Sequence, residues 1–172
     1  VNELTTLHEA ITATIKAAMP QLETVAAYTA ADQNTALPAL YHAITGSKPA
    51  ADPGDGRCCI LASFEARILV DAGVAPAPLL VTALAMQLTI LLRQQFWQMD
   101  FVEAAKNVQA SVVQPAADST SPISWRVQWE QVLYLGAEQW PWPVEPGPLA
   151  FAFSPDTGAG FEADYQSPED MQ

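Results

Sequence analysis

Leu4, Leu7, Ile11, Ile15 and Ala18 recur at helical spacing and the run ends at Pro20, so the first segment predicts an amphipathic helix with one apolar stripe turned to a sheet. Thr6 and Glu9 are spaced as a capping box, and His8, on the flank of the stripe, is expected to be a solvated surface residue. Val25 to Tyr28 predicts a short strand, followed by a polar turn at Asp32 to Asn34. Leu37 to Thr45 predicts a second strand, with Pro38 confined to its beginning or to an edge. Ser47 to Gly56 is dense in turn formers and predicts a loop between strands.

The clearest pattern follows that loop. Cys58, Ile60, Ala62, Phe64, Ala66, Ile68 and Val70 alternate with Cys59, Leu61, Ser63, Glu65, Arg67, Leu69 and Asp71, a strand period sustained over about fourteen positions, or about 46 Å. Such a strand outreaches the helix after it, so part of it must project beyond the core. Ala77 to Arg93 predicts a second helix, apolar apart from Thr82, Gln87 and Thr89, and expected to be covered on most sides. Its uninterrupted part, Leu79 to Leu92, is only about 21 Å long, short of the roughly 30 Å hydrocarbon core, so it reads as a buried helix rather than a membrane span. Phe96, Trp97, Met99 and Phe101 form an aromatic knot, Val108 to Val113 predicts a strand, and Pro115 to Pro122 a second loop. From Ile123 to Leu135, Trp125, Val127, Trp129, Gln131, Leu133 and Leu135 share one strand face while Arg126, Gln128 and Glu130 occupy the other.

Beyond Gly136 the composition shifts. Trp140-Pro141-Trp142-Pro143 and Glu145-Pro146-Gly147-Pro148 cannot form a helix or a central strand, and residues 137–172 contain no Lys or Arg. This predicts a domain over residues 1–136 and an extended acidic arm over 137–172. In the arm, Trp140 and Trp142 offer large amphipathic rings for docking.

Composition narrows the chemistry. Seven Lys and Arg against 19 Asp and Glu leave a net charge of −12, with no basic surface able to neutralise several phosphates of nucleic acid. The adjacent Cys58 and Cys59 point to opposite strand faces, so no disulfide framework is expected. A reducing interior such as a cytoplasm fits, and Val1-Asn2-Glu3-Leu4 does not read as a secretion signal. Two histidines, His8 and His42, lack the partners of a nucleophilic site, and with two divergent cysteines they cannot supply three or four zinc ligands. The Asp52-Pro53-Gly54-Asp55-Gly56 loop lacks the further carboxylates of a calcium loop, and Gly158-Ala159-Gly160 lacks the rest of a dinucleotide fingerprint. No catalytic residue, cofactor or metal is therefore expected.

Several strings are similar to those of a known family. Leu37-Pro38-Ala39-Leu40-Tyr41 to Thr45-Gly46, Asp52 to Arg57, Phe64-Glu65-Ala66-Arg67-Ile68-Leu69-Val70-Asp71, and Trp125 to Gln131 with the closing Leu135-Gly136 resemble tail terminator proteins of long-tailed bacteriophages, including those of Mu-like prophages. The resemblance covers residues 3–136. It implies an α+β fold with a mixed or antiparallel sheet, two main helices packed on it, and no enzymatic activity. It also implies a homohexameric ring on the head-proximal end of the tail tube, with the tail tube protein and a neck or head-tail connector protein as partners. Such a ring works in the virion, assembles in the host cytoplasm, and passes DNA through its channel without specific binding. On this view the projecting hairpin, with Lys48, Asp52, Asp55, Arg57, Cys59 and Leu61, and the arm's Trp140 and Trp142 would contact a neighbouring subunit or the tube. Another neck or tail-completion protein of the same virion, or a small-ligand domain with a pocket under Phe96, Trp97 and Phe101, are the alternatives.

Overall fold

The computed structural model describes residues 2–32, 34–51, 53–113, 122–139, 150–155 and 157–168. They fall into two units, Val1–Gln139 and Trp140–Gln172. The first contains α1 (Asn2–Ala18), β1 (Thr24–Ala27), β2 (Ala39–Pro49), β3 (Cys58–Val70), α2 (Ala77–Leu91), β4 (Lys106–Val113) and β5 (Ile123–Leu135). The strands form one sheet in the order β1-β2-β3-β5-β4, with β1 parallel to β2 and every other neighbour antiparallel. This is the α+β fold with a mixed sheet.

The alternation of β3 and β5 sets the core. Ala62, Phe64, Ala66, Ile68 and Val70 of β3 and Val127, Trp129 and Leu133 of β5 are buried with Leu7, Ile11 and Ile15 of α1 and Val81, Leu84 and Leu88 of α2. Both helices thus lie on one face of the sheet. Phe64 and Trp129, directly paired across the strands, stack with ring centroids 5.2 Å apart. Gln131 is the polar residue within this face, and its groups are all used. Its Oε1 accepts from the indole N–H of Trp97 (2.7 Å) and of Trp129 (3.0 Å), while its amide donates to the carbonyls of Gln95 and Glu103. A fully paired buried amide of this kind pins the connection after α2 onto β5.

Several expectations are corrected. β2 continues through Ser47, Lys48 and Pro49, because Pro49 and Lys48 pair with Ile60 and Leu61, so the loop begins only at Ala50. Thr6 and Glu9 do not cap α1. The helix already starts at Asn2, and the Thr6 hydroxyl donates to the Asn2 carbonyl from within it. His8 is buried, for reasons given below. Helix α2 is not covered on most sides: Leu79 is 67% exposed, Ile90 73% and Met86 44%. The sheet covers only its inner side, and toward the α1 region Gln87 donates to the Ala18 carbonyl and accepts from the Gln21 amide. Among the described residues no helix is long and apolar enough to cross a membrane.

In the second unit, Phe151 and Gln166 exchange two backbone hydrogen bonds, closing a loop that holds the short 3-10 turn Glu162–Asp164. The Tyr165 hydroxyl accepts from the Gly158 N–H, and Phe153, Phe161 and Tyr165 are exposed. The predicted loop at Pro115 to Pro122 lies outside the described residues, save for Pro122.

Candidate subunit interface

Among the described residues the sheet has two unpaired margins, the outer side of β4 (Lys106–Val113) and the far part of β2. β1 pairs with β2 only from Ala39 to His42, so on that side no described strand pairs with β2 beyond His42. Thr45 to Pro49 are exposed on both faces. A bulge between Ile44 and Gly46 turns this stretch as it leaves the core. Unpaired N–H and C=O groups in a row form a template for another strand, a hazard that proteins cover by assembly or block. Lys48 stands on this margin. A lysine on an edge is also a common block against uncontrolled pairing.

The tip of the hairpin is held from within. Asp55 accepts from the backbone N–H of Arg57 (3.0 Å) and from its Nε (2.7 Å), and the Arg57 guanidinium lies over the Tyr134 ring, 5.1 Å from its centroid. The Arg57 hydrogen bonds hold the Asp55 carboxyl below the usual carboxylate range. The chain after β5 closes against the tip, with the Gln139 N–H donating to the Asp55 carbonyl (2.8 Å). Gly56 has a φ of +90°, and a Cβ there would lie 2.6 Å from the Gln139 side chain, so only glycine fits this approach. Below the tip, the Tyr134 hydroxyl donates to Glu103 (2.5 Å), which also receives Lys106 (2.9 Å). This carboxylate pushes the Tyr134 phenol up to about 12.

Of the residues expected at a contact, Lys48, Asp55, Arg57 and Leu61 cluster at this projecting end, with Lys48 exposed and the other three partly covered. Cys59 is buried at 7% exposure, so it is not offered to a contact, whereas its neighbour Cys58 is exposed. Asp52, Trp140 and Trp142 lie outside the described residues.

A second cluster, which periodicity could not reveal, joins α1 to β1 and β2. The Thr12 hydroxyl donates to the His8 carbonyl (2.8 Å), so His42 Nε2, 2.9 Å from that hydroxyl, must be the donor to it. His42 Nδ1 is then an acceptor, facing His8 Nδ1 at 3.4 Å, and His8 Nε2 in turn accepts from the Tyr28 hydroxyl (3.0 Å). The Tyr28 oxygen accepts from the Ile44 N–H (3.3 Å). One assignment of protons satisfies the whole chain, with both imidazoles neutral. Burial, then the neighbouring His8, holds His42 down at about 4, and burial lowers His8 as well. The cluster borders an open groove of about 800 Å³ lined by Leu4, Thr5, His8, Thr12, Ala27 and Tyr28 among others. Its polar groups are engaged with one another, which gives it the character of a clamp between helix and sheet.

The face of the sheet turned away from the helices is polar. There Arg67 of β3 stands directly opposite Arg126 of β5, with Glu65 3.6 Å from Arg67, and Gln128 donates to Glu65. The Arg126 Nε is buried without a hydrogen-bond partner among the described residues. Like charges directly opposed across strands oppose sheet formation, so Glu65 moderates this pair only in part.

No family model matches the chain, and no curated protein matches it. One protein of solved structure, whose name carries no statement of function, is similar over 80% of this chain and 99% of its own length, at 15% sequence identity and a TM-score of 0.48.

Proposed function

We propose that this protein is a structural subunit of a phage virion: a tail terminator whose copies form a ring of six that caps the head-proximal end of the tail tube. In this reading it is not an enzyme and needs no cofactor. Its partners are further copies of itself, the tail tube protein and a neck or head-tail connector protein. It acts in the virion after assembly in the host cytoplasm, and DNA passes its channel unbound. The observation that carries the reading is the projecting margin Thr45–Pro49, exposed on both faces and, among the described residues, without a strand partner on its outer side. A neighbouring copy or the tube would complete it by strand addition.

The ligand-pocket alternative draws less support. Trp97 is 2% exposed, packed 6.4 Å from Trp129, with its indole N–H taken by Gln131. The region proposed to hold a ligand is filled by the side chain itself. Another neck or tail-completion role in the same virion would use the same margin, and capping of purified tubes separates the two.

The charge of the channel belongs to this reading. Residues 127–172 carry eight acids and no Lys or Arg, which would keep phosphates from adhering if such acids line the lumen. By register the polar sheet face carries Lys48, Arg67, Lys106 and Arg126 against Glu65 and Glu130 on the described strands, a basic balance, so an acidic lumen would have to be lined by other parts of the chain. A ring that retains duplex DNA at moderate salt would contradict an acidic lumen.

The test of the reading is to shorten the hairpin by removing residues 47–50 with 57–60 and measuring assembly. A folded monomer that no longer stops tube growth is expected. Unchanged capping would exclude this margin as the contact.

A further inference from the structure

We propose that α2 is the seat of a two-fold contact between two copies of this chain, packed helix against helix and antiparallel. The evidence lies in the exposed side of that helix. Leu79, Ala83, Met86 and Ile90 are exposed and succeed each other by four, three and four residues, which places them in one stripe. Val74 before the helix and Phe96 after it are also apolar and each 49% exposed. No charged residue occurs from Ala72 to Leu92. A soluble helix ordinarily turns charged side chains outward, as Glu9 and Lys16 show on α1.

The pattern names the occupant. A four-three-four spacing is that of a helix-pairing seam, in which side chains of one helix fill the spaces of another. The four positions are symmetric about the midpoint between Leu84 and Ala85. In an antiparallel pair centred there, Leu79 meets Ile90 of the other copy and Ala83 meets Met86, twice each. Every small residue then faces a long one, and the volume along the seam is even. Parallel pairing would set Ala83 against Ala83, leaving a gap, and Arg93 against Arg93. The antiparallel register instead carries each Arg93 toward the turn before the other copy's α2, where Asp71 is exposed, and opposes the two helix dipoles.

The size agrees with such a contact. The exposed stripe offers on the order of 500 Å² per copy, near the upper end for an apolar patch on a monomer. Two copies would bury about 1,000 Å², at the lower bound for a specific association, so the dimer is expected to be a reversible one. Because the contact is two-fold, it pairs copies but cannot close a ring of six, and it stands apart from the function proposed above.

The test uses the full chain with Cys58→Ser, leaving the buried Cys59 in place. Leu79→Cys together with Ile90→Cys should form an intermolecular disulfide on mild oxidation. Each single substitution should not, since position 79 lies about 16 Å along the helix from its own copy in this register. Crosslinking by Leu79→Cys alone would overturn the antiparallel arrangement. Crosslinking by no variant would overturn the contact. In sedimentation equilibrium, Ile90→Glu should raise the dissociation constant at least tenfold with an unchanged thermal midpoint, and a variant dimerising as tightly as the parent would refute the seam. Capping of tail tubes, measured on the same variants, reports on the ring separately.

Discussion

The two helices lie on the same sheet face, yet their outer sides are composed differently. Inward, α1 presents Leu7, Ile11 and Ile15 and α2 presents Val81, Leu84 and Leu88, all at most 2% exposed. Outward, α1 carries Thr5, Glu9 and Lys16, whereas α2 carries Leu79, Met86 and Ile90. Folding needs only the inner sides. The outer side of α1 is suited to water, while that of α2 is suited to another apolar surface. Leu88 and Ile90 lie two residues apart, on opposite sides of that distinction.

The comparison is broken most strongly from the inside. Leu88→Ala or Ile11→Ala should each lower stability by about 2–5 kcal/mol, through lost burial and the cavity left behind. Urea unfolding followed by circular dichroism measures this, and a loss below about 1 kcal/mol at either site would show that the core had been misplaced.

The second effect belongs to the clamp that only α1 possesses. His42 titrates near 6.5 when unfolded and is held down at about 4 when folded, so between these values the unfolded chain binds more protons. Its contribution is thus present above about pH 6.5 and is lost as pH falls toward 4, on the order of 3 kcal/mol in all. The lowered His8 has the same sign. Asp55 and Glu103, also held low, lose their contributions at more acid pH. Thermal midpoints should fall between pH 7 and 4.5 in the parent, and less so in His42→Gln. Equal slopes would mean that the imidazoles do not carry the effect.

A smaller change sharpens the proton assignment. Thr12→Val keeps the shape but leaves the His42 N–H without an acceptor, at a cost of about 1–3 kcal/mol, while Glu9→Gln on the exposed side of the same helix should change stability by no more than about 0.5 kcal/mol. The smallest effect is expected on α2. Ile90→Ala should alter the stability of the monomer by about 0.5 kcal/mol or less, in contrast to Leu88→Ala, because the side chain is 73% exposed.

Legibility in the chain followed the range of the interactions. The alternation of β3 and β5 was readable because side-chain direction along a strand is local, and it placed Phe64, Val127, Trp129 and Gln131 on the inner face. Burial of His8 was not readable, since it depends on His42 and Tyr28, brought to it by the parallel pairing of β1 with β2. The open side of α2 escaped for the opposite reason: a helix apolar on all sides has no periodicity to report which side is covered. In β2, Ser47, Lys48 and Pro49 resemble turn formers, and only their partners across β3 make them strand. At the proposed interface the sequence located the projecting hairpin, while the burial of Cys59 and the engagement of Asp55 with Arg57 are tertiary outcomes.

The central claim is that this chain works as a ring subunit through the outer margin of β2. Native mass spectrometry of the full chain mixed with tail tube protein tests it most directly. The account predicts a species containing six copies of this chain on the end of a tube, absent when the hairpin is shortened. A chain that remains without tube or partner copies at every concentration, with the margin intact, would contradict it.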